Sequence, residues 1–113
     1  MKEIKAVIRP NKLTALRDAL MLIPGFPGMT VTRVEGCSAP SRHVVRQKIK
    51  DQLTDYTPKV RIDLVVPDEA ADAIFQRIIE VAQTGHLGDG LVWITEVHKA
   101  AFIFKSMPGP EGN

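Results

Sequence analysis

The chain has 113 residues, 44% of them hydrophobic and 25% charged, with a formal charge of +2. That size gives one domain with a genuine core, and so small a net charge gives no electrostatic case for a nucleic-acid partner. A single cysteine, Cys37, excludes an intrachain disulfide, and no run of 18 apolar residues is available to cross a membrane. The opening MKEIKAVIRP has no apolar stretch of signal-peptide length, so the cytoplasm is the expected compartment.

Residues 3 to 8 alternate, with Ile4, Ala6 and Ile8 on one side and Glu3 and Lys5 on the other, as in a half-buried strand. Pro10 ends that strand, and Asn11 is a candidate helix cap. Leu13, Leu16, Leu20 and Ile23 then recur at helical spacing. PGFPG at 24–28 is a turn, and the β-branched MTVTRV at 29–34 predicts a second strand.

Residues 37–57 form the longest polar stretch and include Arg42, Arg46, Lys48 and Lys50. A connection of that length in a small domain is unusual and commonly functional. It is expected to be a mobile loop whose basic residues contact a partner. KVRIDLVV at 59–66 is the cleanest alternating strand. Asp68 is a candidate cap for a helix whose stripe is Ala71, Ile74, Phe75, Ile78 and Ala82. LVWITEV at 91–97 is the fourth strand, AAFIF at 100–104 a candidate fifth, and 105–113 a tail.

The order β-α-β, long loop, β-α-β predicts an α+β fold, a ferredoxin-like βαββαβ sandwich with a long loop between strands 2 and 3, in a single domain over 1–113. Two helices cover one sheet face. The other face is apolar enough that a homo-oligomer is expected to cover it.

Chemistry concentrates in QTGHLGDG, 83–90. It lacks the Lys-Ser/Thr of a Walker loop and leads into a strand, unlike a dinucleotide-binding turn. Two readings stay open from spacing: a tight turn capped at Gly85, or a nest of backbone N–H groups that holds an anion. His43, His86 and His98 are scattered and Cys37 stands alone, so no metal site is expected. No carboxylate pair or nucleophile–base spacing appears, so an enzyme is not expected.

Four collinear segments resemble the PII signal-transduction family: MKEIKAVIRPNKL (1–13), GMTVTRVEG (28–36), PKVRIDLVV (58–66) and AQTGHLGDG (82–90). The resemblance implies a homotrimer that binds an adenine nucleotide (ATP, ADP or AMP) in clefts between subunits. It also implies a T-loop, here 37–57, that engages a target, often a membrane transporter. On matching positions the nucleotide-binding residues would be Ile8, Thr30, Gly36, Lys59, Asp63, Val65, Gly88, Asp89 and Gly90, with Ile8 and Val65 as apolar walls.

Departures are informative. Leu91 stands at the family's loop lysine, and Phe102 and Phe104 stand at two tail arginines, so three phosphate-clamping cations are missing. Pro40 replaces the glutamine that opens the T-loop, and Gln52 the tyrosine that some members uridylylate. A divergent PII-like protein with a preference for ADP or AMP over ATP is expected. The closing GPEG is similar to PII-like proteins associated with bicarbonate transport and carboxysomes, which suggests inorganic-carbon metabolism. The competing expectation is a nucleotide-free ferredoxin-like trimer acting as a metal- or protein-binding module.

Overall fold

The computed structural model describes residues 1–38 and 56–106. Strand β1 spans Lys2–Ile8, helix α1 Leu13–Leu20, β2 Thr30–Gly36, β3 Thr57–Val66, helix α2 Asp68–Ala82 and β4 Leu91–Glu96. The four strands form one antiparallel sheet in the order β2-β3-β1-β4. Both helices pack on one face, so the expected α+β ferredoxin-like arrangement is observed.

The core follows from the period-2 pattern. Ile4, Ala6 and Ile8 of β1 and Val60, Ile62, Leu64 and Val66 of β3 are buried beneath the helices. They meet Leu16 and Leu20 of α1 and Ala70, Ala71, Ile74, Ile78 and Ala82 of α2. Each strand therefore turns its alternate residues to the opposite face: Glu3, Lys5 and Val7 on β1, and Lys59, Arg61, Asp63 and Val65 on β3.

Three local expectations are corrected. Asn11 does not cap α1. The chain enters through a short 3-10 turn, Pro10–Lys12, closed by a hydrogen bond from the Lys12 N–H to the Arg9 carbonyl (3.0 Å). Proline's fixed φ and missing N–H suit that first position. Asp68 is the first residue of α2 and not its cap; Pro67 holds the cap position. The Asp68 carboxylate lies 2.9 Å from the Met1 amino group, which holds its carboxyl below the usual carboxylate range. Finally, AAFIF is not a strand: 100–103 is irregular and Phe104–Ser106 is a 3-10 turn. Strand propensity is insufficient where no ladder partner is offered. Ile23 follows α1 in a turn, and Phe75 is only half-buried. The loop residues Arg42, Arg46, Lys48 and Lys50, and the tail 107–113, lie outside the described residues.

Candidate functional site

Residues 83–90 carry the chain from α2 to β4. The helix ends at Ala82 and is capped by Gln83, whose N–H still bonds the Ile79 carbonyl at 3.0 Å, so Gly85 is not its cap. Gly85, Gly88 and Gly90 all have positive φ (88°, 94° and 107°). Gly90 is the most constrained of them: a Cβ there would overlap the Val7 carbonyl oxygen and lie 2.8 Å from its carbon. Only glycine lets the loop press against the end of β1 as β4 begins.

Asp89 organises the loop from inside. Its carboxylate accepts hydrogen bonds from the N–H groups of Thr84 (2.7 Å) and Gly85 (2.8 Å), the Thr84 hydroxyl and Arg9 Nε (3.1 Å). Four donors to one carboxylate hold its carboxyl well below the usual carboxylate range, the Thr84 hydroxyl contributing most. The charge of Asp89 is thus turned inward and already satisfied within the loop and by Arg9. Because the folded-state pKa is depressed, this stabilisation is present above the unfolded carboxyl pKa of about 3.9 and is lost as pH falls further. We expect Asp89→Asn to be less stable than the parent at pH 7, with the gap narrowing progressively as pH falls below about 4 in urea unfolding. A constant gap across that range would show that the carboxylate charge is irrelevant.

Two cations flank the loop. Arg9 Nη2 donates to the Leu87 carbonyl at 2.9 Å, and Lys59 Nζ donates to the Gly88 carbonyl. A Cβ at Gly88 would lie 3.3 Å from Arg9 Nη2 and 3.5 Å from Lys59 Nζ, so the loop backbone rests directly on both charges. Lys59 is only 8% exposed. Burial lowers its pKa below 10.5, the Arg9 charge lowers it further, and Asp89 opposes both. Gly36 belongs to the same group, since a Cβ there would lie 3.5 Å from Lys59 Cγ. Gly36, Lys59, Gly88, Asp89 and Gly90 therefore converge.

Thr30, Asp63 and Val65 are elsewhere. Thr30 pairs with Asp63 across β2 and β3. Both line a cavity of about 570 Å³ with Glu3, Met29, Val65 and Phe102. Asp63 accepts a hydrogen bond from Arg61 Nε at 3.2 Å. No lysine, arginine or histidine lines this cavity among the described residues. At about 3.3 Å per residue, Asp63 and Val65 are roughly 13 and 20 Å along β3 from Lys59. Ile8 falls in neither group's open surface: it is 2% exposed in the core and lines a smaller cavity of about 200 Å³ with Ile78, Gly90 and Leu91.

The sequence reading missed Arg9 and Thr84. Extending the β1 alternation by one residue puts Arg9 on the face opposite Ile8. The register that pairs Ile8 with Val60 then sets it beside Lys59. Thr84 had no signal beyond its distance of five from Asp89. Among the described residues, no group of three His, Cys, Asp or Glu side chains could hold a metal ion, and no helix is long and apolar enough to cross a membrane.

The family described as nitrogen regulatory protein P-II matches residues 1–106. The chain is similar to the nitrogen regulatory protein P-II of Haemophilus influenzae (41% identical over 103 residues, 91% of each chain). It has the same identity and coverage with nitrogen regulatory protein P-II 1 of Escherichia coli strain K12. The nitrogen regulatory protein P-II of Pasteurella multocida is 38% identical over the same share. With its split βαβ fold and its glycine loop seated on Arg9 and Lys59, the chain belongs to the P-II family.

Proposed function

We propose that this protein is a non-enzymatic signalling module: a homotrimer that binds an adenine nucleotide in clefts between subunits and regulates a partner protein through residues 37–57. The observation that carries the reading is the division of the candidate residues into two half-sites on one chain. One half presents Lys59, Arg9 and the glycine loop, and suits phosphate. The other is a cavity with apolar walls and the acceptors Asp63 and Thr30, and suits a nucleoside. They lie roughly 13 to 20 Å apart along β3, and a head-to-tail ring of copies would bring one half of one chain against the other half of the next.

Nucleotide binding would bias the loop only by its differential affinity for two loop states. We take the partner to be a membrane transporter, contacted by Arg42, Arg46, Lys48 and Lys50. The relatives' names point to nitrogen regulation; the inorganic-carbon reading rests on the closing GPEG alone.

Calorimetry with ATP, ADP and AMP, paired with light scattering, tests this. The expected result is an oligomer that binds at least one of the three; no binding to a well-folded oligomer favours the nucleotide-free alternative. Leu91, Phe102 and Phe104 supply no charge to offset the outer phosphates, whose desolvation is costly when unpaired. ATP is therefore expected to bind no more than about tenfold tighter than ADP or AMP, a difference of about 1.4 kcal/mol. A larger preference for ATP over both would show that other cations replace the missing ones.

A further inference from the structure

The two cations beside the glycine loop are occupied by the chain itself. Arg9 Nη2 donates to the Leu87 carbonyl at 2.9 Å, and Lys59 Nζ donates to the Gly88 carbonyl. Both nitrogens lie within 3.5 Å of one point, the place a Cβ on Gly88 would take, so one small ligand can touch both. An oxyanion that binds here must take these donors from carbonyl oxygens that already use them. Arg9 has a separate anchor, since its Nε donates to the Asp89 carboxylate at 3.1 Å. That carboxylate also accepts the N–H groups of Thr84 and Gly85 at 2.7 and 2.8 Å, which fixes the start of the loop. The peptide between Gly88 and Asp89 is held less firmly. Its N–H reaches the His86 carbonyl at 3.3 Å, long for a bond of this type. Gly88 has a φ of 94° and no side chain to obstruct a change of ψ. Aspartate is among the few other residues that tolerate a positive φ.

We propose that the Gly88–Asp89 peptide is a switch: an oxyanion that takes Arg9 Nη2 and Lys59 Nζ turns it, so that the Gly88 carbonyl leaves Lys59 and the Asp89 N–H faces the anion. This rests on the phosphate-binding reading of the loop and adds to it how the phosphate gains entry. A peptide is a rigid plane, and turning it about the line between neighbouring Cα atoms leaves both residues in place. The Asp89 side chain therefore keeps its four donors while its backbone turns. The exchange is favourable because a cation interacts more strongly with an oxyanion than with a neutral carbonyl. Gly88 is only half-buried, so water takes over the released carbonyl and no acceptor is stranded. The arrangement also selects its ligand, which must present an oxygen to each cation, as a phosphate or pyrophosphate group does. A single-atom anion takes one donor and leaves the other on its carbonyl. Arg9 couples the two ends of the loop: Nε stays on Asp89 while Nη2 changes partner, which requires two separate nitrogens.

The test is an NMR titration of the isotope-labelled full chain with sodium pyrophosphate and, separately, with ADP, at constant pH and ionic strength. The expected result is that the Gly88 carbonyl carbon and the Asp89 N–H move most, while the N–H groups of Thr84 and Gly85 stay fixed by the carboxylate. Movement of all four together overturns the switch, because the loop then shifts as a whole. An equal response to sodium chloride overturns it as well, because the site then requires only charge. Binding of pyrophosphate or ADP with the Gly88 carbonyl unmoved overturns the switch and leaves the phosphate reading intact. No response of the loop to either ligand overturns both. As a second measurement, Arg9→Lys keeps the charge but offers a single nitrogen. It is expected to weaken pyrophosphate binding about tenfold or more and to release the Thr84 and Gly85 N–H signals from their fixed positions when the anion binds, because an ammonium that takes the anion gives up Asp89. Unchanged affinity in this variant overturns the coupled exchange, and the parent titration decides the matter if the variant fails to fold.

Discussion

Gly90→Ala destabilises the fold by about 3 kcal/mol or more, the largest effect expected from a methyl group added at any of the described glycines. Two costs combine. A φ of 107° is a strained conformation for alanine, worth about 1–3 kcal/mol. The new methyl group also overlaps the Val7 carbonyl oxygen, an atom fixed by the pairing of β1 with its neighbours. Relief requires β4 to move from β1 at the Val7–Leu91 pair, the first rung of that ladder. Gly85→Ala separates the two costs, because Gly85 has a φ of 88° but a methyl group added there would meet no atom within 4 Å. It should therefore lose only the backbone contribution. With m values of about 1–3 kcal/mol per molar urea, Gly90→Ala should shift the midpoint by roughly 1 M or more. Equal shifts for the two variants would show that the loop yields and that contact with β1 does not constrain it.

That contrast also shows why the loop could be located from sequence and its mechanics could not. Three glycines around one acid announce an unusual backbone. Which glycine is indispensable depends on how closely another strand approaches, and that is a property of register. The same holds for the charges. Lys59 stood out by family resemblance, whereas Arg9, beyond the last apolar residue of β1, gave no sign of a role. The sheet and both helices were legible because period-2 and period-3.6 patterns record which face is buried. Their ends were less so: β3 begins at Thr57 and not Lys59, and β2 continues to Gly36. Pairing Gly36 with Thr57 extends the ladder beyond the region where side chains alternate. The 100–104 run misled for a related reason. Its composition records a preference for extended backbone, but a strand also needs a neighbour with free donors and acceptors.

Lys59→Met should separate binding from stability. The ammonium is buried, and burial is the main reason its pKa lies below 10.5. Replacing it with an unbranched apolar side chain removes that desolvation cost but leaves the Gly88 carbonyl without its cation. These effects oppose each other, so the fold should change by no more than about 1 kcal/mol. Binding has no such compensation. A charge-assisted hydrogen bond to phosphate contributes about 1.5–3 kcal/mol, so ADP affinity should fall roughly 10- to 150-fold. The pH dependence gives an independent check. With a lowered folded-state pKa, Lys59 loses its proton earlier than a free lysine as pH rises, so parent affinity should begin to decline below pH 10.5. A bound phosphate favours the charged form and moves that decline upward in pH, whereas the methionine variant should lack the Lys59 component altogether. Calorimetry with ADP across neutral and alkaline pH, on oligomers verified by light scattering, makes the comparison. If the variant binds ADP within about threefold of the parent, a difference of about 0.7 kcal/mol, Lys59 serves the glycine loop alone and the phosphate lies elsewhere.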